Sequence, residues 1–163
     1  MNLENVAAVV TGGGSGLGRA TARALAQRGA RVGVIDLDEN AATAVANGID
    51  GLAIACDVSD AESAASAVDR VVEQFGVPRV LVNCAGIGVA ARIVGRDGPH
   101  SLDLFANVIR VNLIGTFNLL RLVSAHMVAL EPITESGGRG VIVNTASVAA
   151  YEGQVGQAAY SAS

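Results

Sequence analysis

Glycines at positions 12, 13, 14, 16 and 18 lie between an apolar run and a helix-like segment. Glycine lets a backbone turn sharply and approach a ligand closely. The helix that follows offers unpaired N–H groups and the positive end of its dipole. That chemistry suits a pyrophosphate, held by Gly12, Ser15, Gly16, Leu17 and Gly18. The spacing is G-x-x-x-G-x-G rather than the commoner G-x-G-x-x-G, and a glycine-rich turn alone serves equally as a tight turn. Asp36 ends the next apolar run, where a carboxylate accepts hydrogen bonds from ribose hydroxyls and repels a 2′-phosphate. Leu37 and Asp38 follow it, and no Arg or Lys stands beside it. Both facts favour NAD over NADP as the cofactor.

Other polar residues stand at the ends of apolar runs. Asp57 and Val58 follow the third run, and Asn83, Cys84, Ala85 and Gly86 the fourth. Ligands in open parallel sheets bind at the carboxyl ends of strands, where the strand order reverses. Ser147 ends the fifth run in Asn144-Thr145-Ala146-Ser147, and Tyr160 follows in Ala159-Tyr160-Ser161. Singly, such a serine is a turn or cap residue, such a tyrosine packs, and Asn112 in its apolar stripe is a core amide. The joint occurrence in one order is what distinguishes them. His100 and His126 lack metal-ligand or triad spacing, so no metal is expected, and Tyr151 falls in a presumed loop.

The elements that must position these residues alternate apolar runs with helical patterns, the mark of βαβ units. Strands are predicted at Val6–Thr11, Arg31–Asp36, Leu52–Cys56, Val80–Asn83 and Val141–Thr145. Helices are predicted at Gly16–Arg28, with Leu17, Ala20, Ala24 and Leu25 on one face, at Asn40–Ala46, and at Ala61–Phe75 behind Ser59 or Asp60. A long helix is expected from Ser101 to Leu130, with Leu102, Phe105, Ile109, Leu113, Phe117 and Leu120 at helical spacing. Polar loops at Ile87–His100 and Glu131–Gly140 flank it. Right-handed crossovers then give a doubly wound α/β parallel sheet, the Rossmann arrangement, in order 3-2-1-4-5.

Composition agrees. Hydrophobic residues make up 51% of the 163 and charged ones 16%, as buried parallel strands require. One domain is expected over residues 1–163. The net charge of −4 and scattered basic residues argue against a nucleic-acid partner. The mean hydropathy is +0.46, yet the run Leu119–Leu130 is broken by Arg121 and His126 and is too short to span a membrane. No membrane segment is expected. Cys56 and Cys84 sit in apolar runs and read as reduced thiols of a cytoplasmic protein, and a strand beginning near Val6 leaves no room for a leader.

Together the glycine loop, Asn83-Cys84-Ala85-Gly86, Asn112, Ser147 and Tyr160 resemble the short-chain dehydrogenase/reductase family over essentially the whole chain. The resemblance implies that Tyr160 is a general acid/base at the substrate oxygen. Ser147 would hydrogen-bond that oxygen, and Asn112 would interrupt the long helix and anchor a proton-relay water through its backbone. An ordinary tyrosine has a pKa of about 10, so about one in a thousand is ionised at pH 7. That deficit of about 4 kcal/mol is the kind a nearby cation removes. The family's cation is a Lys one helical turn after the tyrosine, beyond Ser163. The expectation is therefore a front part of a longer chain, its domain incomplete at the C-terminus and inactive alone, with the outer edge of the fifth strand exposed.

Within the family, Asn83 to Ala90, Val111 to Asn118 and Gly140 to Ser163 look like the type 2 3-hydroxyacyl-CoA dehydrogenases. That likeness implies interconversion of a 3-hydroxyacyl-CoA and its 3-oxoacyl-CoA, with Gln154 touching the substrate and a full-length homotetramer built partly on the long helix. A 3-oxoacyl-carrier-protein reductase and a catalytically silent dinucleotide-binding protein are the alternatives. The residue fourth after Tyr160 separates the latter.

Overall fold

Strands covered on both faces need no polar alternation, and the central runs of this chain show none. The computed structural model describes residues 1–163. Its elements are β1 (Ala7–Thr11), α1 (Gly16–Ala26), β2 (Arg31–Asp36), α2 (Glu39–Asn47), β3 (Leu52–Ala55), α3 (Ala61–Phe75) and β4 (Val80–Asn83). A small hairpin, β5 (Val94–Gly95) and β6 (Gly98–Pro99), lies in the loop that the sequence leaves irregular. Then come α4 (Leu102–Ile109), a π-helical segment (Arg110–Gly115), α5 (Thr116–Met127), β7 (Val141–Asn144), α6 (Ala149–Glu152) and α7 (Ala158–Ser161). The main sheet is parallel throughout, in order β3-β2-β1-β4-β7. This is the expected doubly wound α/β order, with the fifth strand renumbered because the hairpin precedes it.

Alternation along β1 divides the core in two. Val9, with Ile35, Ile54 and Leu81, packs under α3 and α5 through Val68, Val71, Leu119 and Val123. Ala8 and Val10, with Val32 and Val34, pack against Ala22 of α1 and Ala42 and Val45 of α2. Helix starts follow the acids and serines that cap them. Asp38 accepts from the Ala41 amide, Asp60 from Ser63 and Ser101 from Leu104.

Two predicted helix faces are corrected. On α1 the buried residues are Gly18 and Ala22, small enough to bring the helix close to the sheet, while Leu17 is exposed. On the long helix the buried positions are Val108, Gly115, Asn118, Leu119, Val123 and Met127. Leu102, Leu113 and Phe117 of the predicted stripe are exposed. Both sides of this helix are apolar, so periodicity alone does not name the inner one. The run Leu102–Met127, whose most apolar 18-residue stretch has a mean hydropathy of 1.3, is long and apolar enough to cross a membrane, unlike the shorter stretch weighed above, yet its inner side belongs to the core. At the sheet edge, Val141 and Val143 of β7 are exposed.

The two sides of α5 should answer differently to truncation. Leu119→Ala is expected to cost about 2–5 kcal/mol in urea unfolding. Phe117→Ala should change stability by no more than about 0.5 kcal/mol. A larger loss at Phe117 than at Leu119 would reverse the assignment of the inner face.

Candidate nucleotide groove and active site

β1 and β4 are adjacent parallel strands whose crossovers leave in opposite directions, so their carboxyl ends open into a crevice. The buried Thr11 hydroxyl holds it together. It accepts the amides of Cys84 and Ala85, each at 3.1 Å, and donates to Asn83 Oδ1 at 3.4 Å. Asn83 in turn donates from Nδ2 to Asn144 Oδ1 at 2.9 Å, and its carbonyl accepts the Thr145 hydroxyl at 2.7 Å. Three strand ends are thereby cross-linked by side chains.

The glycine loop leaves β1 and is tied to β2. The Gly13 amide donates to the Ile35 carbonyl at 3.0 Å, and the Gly14 amide to Asp36 Oδ2 at 2.9 Å. Asp36 Oδ1 accepts the Asp38 amide at 3.1 Å. Gly16 has φ +48°, and a methyl on Gly18 would overlap the Gly12 carbonyl oxygen, so neither position accepts a side chain without a shift. The first intrahelical donor is Arg19, to Ser15 O. The amides of Gly16, Leu17 and Gly18 have no acceptor in the protein, and the Ser15 side chain caps none of them. Uncapped donors at a glycine-lined helix start fit a pyrophosphate, and Asp36 beside them fits a ribose.

A groove of about 580 Å³ gathers Gly12, Ser15, Gly16, Leu17, Gly18, Asp36, Asp57, Val58, Ala85 and Gly86. A second cavity, of about 630 Å³, continues past Leu17 and Cys84–Ile87 and is lined by Asn83, Asn112, Ser147 and Tyr160. Ten of the eleven residues expected at the cofactor thus border the first groove, and Asn83 borders the second. Ser147 Oγ accepts the Ala149 amide at 3.2 Å, and the Tyr160 hydroxyl makes no hydrogen bond to the protein. Both hydroxyls are left with capacity toward a ligand. Gln154 is exposed and does not border this cavity; Gln157, one helical turn before the Tyr160 ring's own residue, does. The Ala91 amide donates to Gly156 O at 2.8 Å and joins the loop after β4 to the segment before α7. Tyr151 is 93% exposed.

Asn112 sits in the π segment. Its Oδ1 accepts the Ile87 amide at 2.8 Å, while Nδ2 donates to Ile87 O at 3.0 Å and Ser163 Oγ at 2.9 Å. The side chain therefore pins the loop that walls the second cavity, a contact no spacing rule announces. The same segment brings Arg110 into the groove near Asp57, at 3.9 Å. Judged from the neighbours of Asp36 alone, the groove lacks a basic residue. The fold supplies one from a distant part of the chain. Thr145 and Gln157 also escape the sequence, although Thr145 stands at a strand end, and the cross-linking role of Thr11 at the head of the glycine loop is likewise seen only in the fold.

Asp57 Oδ1 accepts the Ser59 hydroxyl at 2.6 Å and the Ser59 amide at 2.9 Å. The hydroxyl bond holds the Asp57 carboxyl below the usual carboxylate range against partial burial, with the amide and Arg110 adding to it. Burial pushes the neighbouring Cys56 thiol up, opposed by Ser63 and assisted by Asp57 and Asp60. Cys56 is accordingly a neutral core residue.

The short chain dehydrogenase family matches residues 6–163. The 3-hydroxyacyl-CoA dehydrogenase type-2 of Bos taurus is 46% identical over 167 residues, covering 99% of this chain and 63% of that protein. Its counterpart from Drosophila melanogaster is 44% identical over 165 residues, covering 99% of this chain and 64% of that protein. A protein of Mycobacterium tuberculosis named probable oxidoreductase EphD is 42% identical over 147 residues, 87% of this chain and 23% of its own length. The chain thus spans just under two thirds of the type-2 relatives.

Thr11→Val keeps the shape but leaves the Ala85 amide without an acceptor, and is expected to cost about 1–3 kcal/mol in urea unfolding. An unchanged midpoint would remove Thr11 from its structural role. Asp57 is more acidic folded than unfolded. Its contribution to stability is full above the unfolded value near 4 and is lost as pH falls through the folded one. Ser59→Ala should raise the Asp57 value, read by carboxyl NMR. The stability gap to the parent should be full at pH 7 and close below about pH 4.

Proposed function

Because the chain belongs to the short-chain dehydrogenase family, we propose that it serves as an oxidoreductase interconverting a secondary alcohol and a ketone with NAD. The proposed substrate pair is a 3-hydroxyacyl-CoA and its 3-oxoacyl-CoA. The observation that carries the reading is continuity: Ser147 and Tyr160 border a cavity that runs into the groove of the glycine loop. A bound nicotinamide supplies the hydride acceptor or donor. The protein's part is to take and give the proton and to hold the oxygen. In ketone reduction the Tyr160 hydroxyl gives its proton to the substrate oxygen and is left as phenolate; in alcohol oxidation the phenolate takes the hydroxyl proton as the carbon loses its hydride. Ser147, whose Oγ already accepts the Ala149 amide, turns its own proton toward the substrate oxygen and orients it. Positioned proton transfer of this kind contributes about 10²- to 10⁴-fold in rate.

Asn112 fixes the wall beside this pair through Ile87, and its backbone is proposed to anchor the relay water. Asp36 supports NAD over NADP: its oxygens stand where the Gly14 and Asp38 amides hold them, and a 2′-phosphate there meets a carboxylate. The 45%-class identity to type-2 3-hydroxyacyl-CoA dehydrogenases supports the substrate. Gln157, bordering the cavity, is proposed to share the substrate contact first expected of Gln154. Two free thiols support a reducing compartment, the cytoplasm. Exposed Leu113 and Ile114 support a homo-oligomer built on the long helix.

The full-length protein is expected to oxidise 3-hydroxybutyryl-CoA with NAD, and Tyr160→Phe to lower kcat at least about 100-fold without weakening NAD binding. Asp36→Ser should move the preference toward NADP. A parent enzyme that prefers NADP would overturn the reading of Asp36. Full activity in Tyr160→Phe would overturn the proton role.

A further inference from the structure

Arg110 is the only Lys, Arg or His on the wall of the groove that holds Asp36 and Asp57. Its Nη2 donates to Asn107 Oδ1 at 2.9 Å, and its Nη1 lies 3.9 Å from Asp57 Oδ2. The other carboxylate oxygen of Asp57 is already taken twice by Ser59. Asp57 thus has one oxygen fixed by its own turn, while the other faces the guanidinium of the π segment. Two residues along that segment, Asn112 grips Ile87 on the opposite wall. Gly115 closes the arrangement, since a methyl there would stand 2.6 Å from Val58 Cγ2. One short segment therefore fixes both the turn after β3 and the loop after β4.

We propose that Arg110 is a positioning residue for the adenosine half of the dinucleotide: by pairing with Asp57 it orients the carboxylate on the turn that walls that half, a turn whose backbone Asn118 holds through the carbonyls of Val58 and Asp60. The inference rests on the nucleotide-groove reading above and extends it. Arg110 acts through Asp57 and does not itself touch the reacting atoms. The ion pair is partly exposed, with 55% and 37% of the two side chains accessible, so screening limits its weight to a several-fold effect on binding.

The full-length protein, its R110Q and R110K variants, and D57N and D57N/R110Q are titrated with ADP-ribose by calorimetry. R110Q is expected to weaken ADP-ribose about fivefold and to raise the KM for NAD while kcat stays within about twofold. R110K should recover most of the affinity. In the D57N background the R110Q effect should disappear, because the carboxylate through which it acts is gone. Equal ADP-ribose affinity in R110Q and parent overturns the proposal, as does an undiminished R110Q effect on top of D57N. A melting temperature taken without nucleotide separates positioning from general damage: a large drop in both R110Q and R110K, with kcat falling alongside, also overturns it. Failure of the parent itself to bind ADP-ribose would instead sink the nucleotide-groove reading.

Discussion

Everything functional in this chain depends on where the parallel strands end, and one hydroxyl holds that place together. Reversal of strand order at β1 opens a crevice between the carboxyl ends of β1 and β4. A crevice is a gap in the packing, and the two loops leaving it have unpaired amides that would otherwise face water or each other. Thr11 resolves this by accepting two amides of the β4 loop on one oxygen. The side-chain link from Asn83 to Asn144 carries the same restraint to β7, whose end leads to Ser147. The groove and the cavity beside it are therefore two portions of a single stitched rim.

The sheet was legible because its signal is local and redundant. β2, α3 and β4 have the bounds that hydrophobic runs and the Asp60 cap predict, and the parallel order follows from the alternation of strands and helices. The glycine loop was legible for a related reason, since its residue types answer to backbone geometry within a few positions. What escaped the sequence is long-range. The grip of Asn112 on Ile87 and the approach of Arg110 to Asp57 join residues far apart in the chain, and no periodicity encodes them. The inner face of the long helix escaped for another reason. Leu113 and Phe117 are as apolar as Leu119 and Val123, so composition offers two candidate interiors and packing selects one.

The π segment explains why that helix serves two partners. α4 packs on α7, which carries Tyr160, and α5 packs on α3 and β4. Val108 accordingly lies outside the cluster that holds Leu119, Val123 and Met127. An uninterrupted helix presents a single stripe at constant pitch. Widening one turn offsets the two halves, so that each buries the side chains appropriate to its own neighbour.

Chain length within this segment consequently has a meaning that residue identity does not. A turn of α-helix advances each residue by about 100°. Deleting any one residue between Arg110 and Gly115 would restore ordinary helical pitch and improve the local backbone hydrogen bonding. It would also swing the preceding half of the helix out of phase with the half that follows. The lesion would be one of phase: a more regular helix, aimed wrongly, with the apolar residues of one half turned out of their packing. Substitutions along the segment can be absorbed one contact at a time, whereas a single-codon deletion disconnects both walls of the groove at once.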